Sequence, residues 1–312
     1  MKPKPRKVRW WNLPYWAFRT VGEDVYFYRR LEREPRGLSW RRWTSLIRPD
    51  LSDPIFIVGA ARSGTTFLGD SIGTIPEVSY HHEPVATKAA SAQVFSGEWS
   101  ERNAARFYRL VYRWLMRIHL DGDLRFAEKT PRHSTHLGFF LRNFPGAKFL
   151  HIVRDGRAAA LSHSKKVWLS QAGAESGKIR YGPGGNAFGP FARYWVEPER
   201  AREFETVSDI RRTAWAWRRF TEMGIDGLSA AAPGQVLSLR YEELVTNPQA
   251  DAERILDFLE IDRPASRNKF RQALSKSHAA SIDAWRHELT PAQIDEILDE
   301  AGPLLRRLGY LD

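Results

Sequence analysis

The 312-residue chain contains no cysteine. That removes disulfide frameworks, thiolate metal sites and cysteine nucleophiles together. It also lacks any run of about 18 apolar residues, so nothing in it reads as a membrane span. No signal-peptide pattern appears at the start, and the expected location on those grounds is cytoplasmic. Internal repeats and low-complexity tracts are missing too. A further absence is local. The stretch "PIFIVGAARSGTTFLGDSI", Pro54 to Ile72, has two glycines, Gly59 and Gly64, with the separation of the phosphate-binding pattern G-x-x-x-x-G-K-[ST]. Thr66 occupies the Ser/Thr position, but Thr65 stands where the lysine belongs.

What is present begins with charge. The formal net charge is +11, and residues 1–48, with 13 Lys and Arg against 4 Asp and Glu, supply +9 of it. The same segment holds five of the twelve tryptophans. Basic residues beside Trp and Tyr suit an anionic membrane surface, which would make the chain peripheral at the inner face of the membrane. They equally suit an arm that wraps the domain with its rings packed and its arginines solvated. No helix-turn-helix, zinc-finger or ribonucleoprotein pattern points to nucleic acid. Length and a hydrophobic content of 42% allow one large domain with a sizeable core. The expected division is a basic, aromatic-rich arm over residues 1–50 and one domain over residues 51–312.

The apolar runs Ile55–Val58, Lys148–Val153 and Gln235–Tyr241 read as buried strands. Helical spacing is expected from near Gly64 to Ile72, over Glu101–Ile118 and His133–Asn143, and from about Gly156 to Leu169. It recurs over about Thr206–Met223, Pro248–Leu259 and Pro291–Leu305. The glycine-rich segment from Gln171 to Pro190 reads as a mobile substrate loop or a disordered insertion. Buried strands alternating with helices predict an α/β fold, a P-loop-like central parallel sheet flanked by helices on both faces.

The loop can still hold an anion without its lysine. Backbone N–H groups of Ser63, Gly64, Thr65 and Thr66 gather at a helix N-terminus, the two threonine hydroxyls add donors, and Arg62 lies at the mouth. With the lysine absent and no acidic pair evident for Mg²⁺, transfer from ATP is disfavoured. A second element, "FLHIVRDGRAAALSHSKK", ends a strand with Arg154 and carries Ser162 eight residues on. A planar guanidinium is a natural phosphate clamp, and a hydroxyl on the same helix adds an oriented donor. The structural alternative is an Arg154–Asp155 pair at the helix start.

Together these two elements resemble the 5′-phosphosulfate loop and the 3′-phosphate motif of the sulfotransferase superfamily, which uses 3′-phosphoadenosine 5′-phosphosulfate (PAPS). Many members have lysine at the place of Arg62; tyrosylprotein and carbohydrate branches often have arginine. "EKTPRHSTHLGFFLRNFPGAKFLHIVRD", "VLSLRYEELVTNPQADAERILDFLEI" and "DAWRHELTPAQIDEILDEAGPLLRRLGY" are similar to further segments of the bacterial and Golgi-type branches. The resemblance covers residues 53–311. It implies that Arg154 and Ser162 bind the 3′-phosphate, that Arg62 meets the leaving phosphosulfate oxygens, and that the product is adenosine 3′,5′-bisphosphate with no metal required. Ser162 can also gate the donor. Tyr241 would lie near the adenine or pack in the core. Lys276, Trp285 and Arg286 lie where members often close over the nucleotide, although the cytosolic branch's R-K-G triplet is missing here.

Sulfuryl transfer needs a base for the acceptor's proton. Candidates cluster in "VSYHHEPVATK": Glu83, by likeness to the Golgi-type branches, or the adjacent His82 or His81. Lys129 would, by the same likeness, neutralise the transferring group or hold the acceptor; alternatively Glu128 and Lys129 form an ion pair capping the next helix. The implied function is sulfuryl transfer from PAPS to a hydroxyl of a carbohydrate, glycolipid or other lipid-linked molecule. Two rivals stand beside it: an ATP-dependent phosphotransferase, and an inactive module that binds sulfated or phosphorylated glycans.

Overall fold

The computed structural model describes residues 7–31, 36–37, 39–172, 194–277 and 279–311. Most of the glycine-rich segment expected as a substrate loop, residues 173–190, lies outside the described residues.

Five strands make one parallel sheet in the order β2-β3-β1-β4-β5. They are β1 (Ile55–Val58), β2 (Val78–His82), β3 (Arg125–Lys129), β4 (Lys148–Val153) and β5 (Val236–Arg240). The helices, in chain order, are α1 (Leu13–Arg29), α2 (Trp40–Ser45), α3 (Thr65–Ile72), α4 (Val85–Phe95), α5 (Glu101–Ile118), α6 (Leu137–Asn143) and α7 (Gly156–Ser164). They continue as α8 (Ala201–Thr206), α9 (Asp209–Leu228), α10 (Tyr241–Thr246), α11 (Pro248–Phe258), α12 (Pro264–Leu274), α13 (Trp285–Glu288) and α14 (Pro291–Arg307).

Side chains of a strand alternate between sheet faces, and both faces are covered. Phe56, Val58, Phe126 and Phe149 pack under α4, α5 and α6. Ile55, Ile57, Leu150, Ile152 and Leu239 pack under α3, α10, α11 and α12. A separate apolar layer joins α7, α9 and α14. β1 and β4 have the expected bounds, and so does α5, whose Ser100 accepts a hydrogen bond from the Asn103 amide as its N-cap. Some ends shift. The expected Gly156–Leu169 helix stops at Ser164 and resumes as a 3₁₀ turn over Val167–Leu169, and the His133–Asn143 helix is preceded by 3₁₀ turns over Pro131–His136.

Strands β2 and β3 are additions to the sequence reading, as are helices α1, α4 and α12. β2 ("VSYHH") and β3 ("RFAEK") pair in register from Val78↔Arg125 to His82↔Lys129. Helix α1 belongs to the arm. Its Thr20 hydroxyl accepts from the Ala86 amide at 3.1 Å, and buried Asp24 sits between His81 (3.1 Å) and His119 (2.7 Å). No helix among the described residues is long and apolar enough to cross a membrane.

Candidate active site

Parallel strands of this kind deliver their loops to one edge, where ligands bind. At that edge β1 runs into the loop from Gly59 to Gly64. Gly59 has φ 150°, and a Cβ there would lie 2.3 Å from the Ile152 carbonyl oxygen, so only glycine lets β1 and β4 approach this closely. Arg62 has φ 70° and Gly64 φ 91°. A non-glycine in the left-handed region is a strained conformation of the kind found where backbone amides are turned toward an anion. Helix α3 then starts without a side-chain cap, and the first N–H groups of a helix have no acceptor within it.

The loop is held by the second motif. The Arg62 Nε donates to the Ser162 hydroxyl at 3.2 Å, and Arg154 donates to the Arg62 carbonyl at 3.0 Å and to the Ser281 carbonyl at 2.6 Å. The Arg154 guanidinium lies 4.3 Å from the centre of the Tyr241 ring, whose hydroxyl is 3.0 Å from the Ser281 hydroxyl. The same ring abuts Gly64, where a Cβ would lie 2.4 Å from Tyr241 Cδ2. Burial lowers the Arg154 pKa, partly offset by Tyr241 and Glu242. Asp155 is not its partner: that carboxylate accepts from the Arg157 amide at 2.8 Å and pairs with the Arg157 guanidinium at 2.7 Å. Two buried polar atoms here have no partner among the described residues, the Ser63 hydroxyl and the Arg154 Nε. Thr65 is buried and Thr66 exposed at the helix start.

A second cluster forms where β2 and β3 end. Glu83 follows β2 with φ 44° and its amide donates to the Lys129 carbonyl at 2.9 Å. Its carboxylate receives the Lys129 ammonium at 2.5 Å on one oxygen and Lys88 on the other. Burial alone would raise the Glu83 pKa; the two ammonium groups outweigh it and hold the carboxyl well below the usual range. Lys129 is fully buried, and burial pulls its own pKa down against the pull of Glu83. Glu128, the next residue along β3, points to the opposite face. There Thr130 and Thr87 hydroxyls donate to one of its oxygens (2.8 and 3.2 Å), and burial pushes its pKa up to about 7.

Glu83 and Lys88 line a cavity of about 240 Å³. Ala61 of the phosphate loop borders it, and Trp168, Trp195, Trp217 and Phe220 form its apolar wall. His163 also lines it, with burial lowering its pKa to about 4.

Of the other candidates, His82 stays close enough to Glu83 to help lower its pKa, while His81, Arg286 and Lys276 make their contacts elsewhere. His82 stacks on Phe27 of α1 at 4.0 Å and has its Nδ1 3.9 Å from an Asp70 oxygen, on the α3 side of the sheet. His81 is buried against Asp24 and Ser79. With His119 and Asp24 it makes a three-residue group of potential ligand atoms within 4.8 Å of one another, under the arm rather than at the loop. Arg286 pairs with Asp283 at 3.0 Å and lies over Trp285; Lys276 is exposed. Lys88 and the tryptophan wall were missed by sequence reasoning. Lys88 sits one helical turn past Pro84 with no motif to mark it, and the wall comes from segments far apart in sequence.

The structure thus gathers Arg62, Ser63, Gly64, Arg154, Ser162 and Tyr241 into one cradle, and Glu83 and Lys129 into a neighbouring ion pair. The model of the sulfotransferase family matches residues 54–265. The chain is 24% identical to protein-tyrosine sulfotransferase A of Caenorhabditis elegans over 287 residues, covering 82% of this chain and 67% of that protein. It is 22% identical to omega-hydroxy-beta-dihydromenaquinone-9 sulfotransferase Stf3 of Mycobacterium bovis over 205 residues, covering 65% of this chain and 45% of that one. It therefore spans about two thirds of the first relative and less than half of the second. Among solved structures, the sulfotransferase domain from the curacin biosynthetic pathway aligns with a TM-score of 0.51 at 16% identity, over 80% of this chain and 97% of that domain, a likeness of fold. With more than half of its length matched by the family model, the chain belongs to the sulfotransferase family and is an enzyme of that family.

Proposed function

We propose that the enzyme takes its sulfuryl group from 3′-phosphoadenosine 5′-phosphosulfate and gives it to a hydroxyl on an apolar body, of the lipid-linked or aromatic kind rather than a free sugar. The observation that carries the donor half is the pair of buried, unpartnered polar atoms, Ser63 Oγ, next to Arg62 in the loop, and Arg154 Nε, on the guanidinium that bonds the Arg62 carbonyl. Buried polar groups left without partners are costly unless a ligand satisfies them. Their placement at two separate points of one cradle fits a donor with two phosphate groups. Ser63 and the amides that open α3 would hold the 5′ end; Arg154 and Ser162 would hold the 3′ end, with Tyr241 packed beneath.

When bound, the donor supplies a sulfur atom activated by a phosphate leaving group. The acceptor hydroxyl would form the new S–O bond as the bond from sulfur to the bridging phosphate oxygen breaks. Glu83 would take the hydroxyl proton, and Arg62 would meet the charge left on the phosphate. Glu83 can do this only if one carboxylate oxygen is released. Lys88 is the partner free to leave, since its side chain is partly exposed while Lys129 is fixed and buried. Lys129 would then keep Glu83 ionised and aimed. The acceptor half rests on the cavity wall. Trp168, Trp195, Trp217 and Phe220 favour an apolar body whose hydroxyl lies at Glu83. Two relatives are named for protein tyrosine and for an omega-hydroxy-dihydromenaquinone, both compatible with that class.

The test is a calorimetric titration with adenosine 3′,5′-bisphosphate, beside ATP with Mg²⁺, on the parent and on Arg154→Ala. Bisphosphate binding in the micromolar range or tighter, weakened by at least about 2 kcal/mol in the variant, is the expected result. Binding of ATP without the bisphosphate would replace this reading with phosphotransfer.

A further inference from the structure

Both helices of the N-terminal arm bury polar groups and leave rings in solvent. The buried residues of α1 are Trp16, Thr20 and Asp24, flanked by half-buried Leu13, Ala17, Val21 and Val25, and Asn12 is buried just before the helix. The three polar side chains are satisfied: Asn12 bonds the Lys7 carbonyl at 2.9 Å, Thr20 bonds the Ala86 amide, and Asp24 bonds His81 and His119. The opposite side of α1 carries Tyr15, Phe18 and Tyr26 among exposed Arg19, Gly22 and Glu23, with Trp11 in the 3₁₀ turn just before the helix. Trp11 is 81% exposed and Phe18 80%. Helix α2, with Ile47 just past its end, has the same two features. Its Arg42 is buried and donates to the Leu120, Arg36 and Gly37 carbonyls, while Trp40 and Ile47 are 83% and 78% exposed with Trp43 between them.

A helix on a water-facing surface puts its apolar stripe inward. Single exposed apolar residues need no account, but a concentration of Trp11, Phe18, Tyr26, Trp40, Trp43 and Ile47 in one short arm does. The two helices are anchored at one place. The Tyr28 hydroxyl donates to Asp121, Arg36 reaches Asp121 at 3.4 Å and Asp123 at 3.0 Å, and Arg42 holds Leu120. The end of α1 and the start of α2 therefore meet the core at one turn, Leu120 to Asp123.

Charge selects the occupant. Arg29 and Arg30 are exposed at the end of α1, where Arg30 lies 5.9 Å from the ring centres of Tyr26 and Phe27, while Arg19 pairs with Glu23 at 3.3 Å. Residues 1–48 hold +9 of the +11 total. A second copy of this chain would set one cationic arm against another. The headgroup layer of an anionic bilayer meets both demands, taking Trp, Tyr and Phe rings at its apolar boundary and pairing with the arginines around them.

We propose that α1 and α2 form a surface anchor that lays Trp11, Phe18, Tyr26, Trp40, Trp43 and Ile47 into the headgroup region of an anionic membrane. The inference is independent of the donor and of the acceptor chemistry.

The experiment is co-sedimentation of the full chain with vesicles of phosphatidylcholine, with and without about 30% phosphatidylglycerol. Parent protein is expected to bind the anionic vesicles and to be released by high salt. A Trp11→Ser/Phe18→Ser/Trp40→Ser variant is expected to bind at least tenfold more weakly at an unchanged melting temperature. An Arg29→Glu/Arg30→Glu variant is expected to lose affinity while keeping its rings. Failure of the parent to bind either vesicle overturns the proposal, as does equal binding by parent and triple variant. So does a dimer seen by ultracentrifugation of the parent without lipid that the triple variant abolishes, which would assign the face to a second copy.

Discussion

The Lys129 ammonium, fully buried at the end of β3, lies 2.5 Å from one carboxylate oxygen of Glu83, at the end of the neighbouring strand β2. The parallel register that pairs His82 with Lys129 brings them there, and the amide of Glu83 donates to the carbonyl of Lys129 as well. Replacing Glu83 by Gln removes the proton acceptor and leaves a buried cation without its counter-charge. Turnover is expected to fall at least about 100-fold, and unfolding free energy by up to about 3 kcal/mol. A double variant, Glu83→Gln with Lys129→Met, separates the two effects: stability should return and turnover should not. Because Glu83 is held well below the usual carboxylate range, the parent's activity should show no acid limb from this group near pH 4.5. An acid limb at ordinary carboxylate values, present in the parent and absent in the variant's residual activity, would contradict the ion-pair geometry.

Gly64 and the Tyr241 ring are a tight fit. A Cβ at Gly64 would lie 2.4 Å from Cδ2 of the ring and would also sit on a backbone with φ 91°. Gly64→Ala is therefore expected to lower the melting temperature by several degrees, in line with about 1–2 kcal/mol of strain. It should weaken adenosine 3′,5′-bisphosphate at least tenfold, since the displaced ring also supports Arg154. Adding Tyr241→Ala removes the clash but not the backbone strain, so only part of the lost stability should return. Full retention of binding by Gly64→Ala would separate the loop from the donor site.

What could be read from the sequence followed one physical divide. β1 and β4 are continuous apolar runs buried on both faces, and their bounds were legible to the residue. β2 and β3 were not, because Ser79, His81, His82, Arg125, Glu128 and Lys129 break the apolar run; their side chains serve contacts that only the folded sheet brings together. Helix α1 was hidden for another reason. Tyr15, Phe18 and Tyr26 face outward while Thr20 and Asp24 are buried beside Trp16, so the usual amphipathic pattern is blurred. At the site, the loop, Arg154 and Ser162 were legible as local motifs, and the structure joins them through Arg62. Lys88 and the wall of Trp168, Trp195 and Trp217 carry no local signature.

Glu128 offers a pH test that does not depend on the reaction. Its side chain faces α4 and α5, with one oxygen bonded to Thr87 and Thr130 and the other without a partner among the described residues. Burial raises its pKa to about 7 from an ordinary value of 4.5. The folded state therefore binds more protons at this site than the unfolded state between those two values. Stability from this group is complete below about pH 4.5, declines as pH rises through the window, and is lost above about 7. The shift corresponds to roughly 3 kcal/mol. Glu128→Gln keeps an acceptor for the two threonines and cannot ionise. Urea unfolding of parent and variant from pH 5 to 8 should show the parent losing most of that amount relative to the variant, so that the variant is the more stable protein at pH 8. A difference between the two that stays constant across this range would mean that Glu128 holds its charge in the folded core, with Tyr112 and His133 arranged to stabilise it.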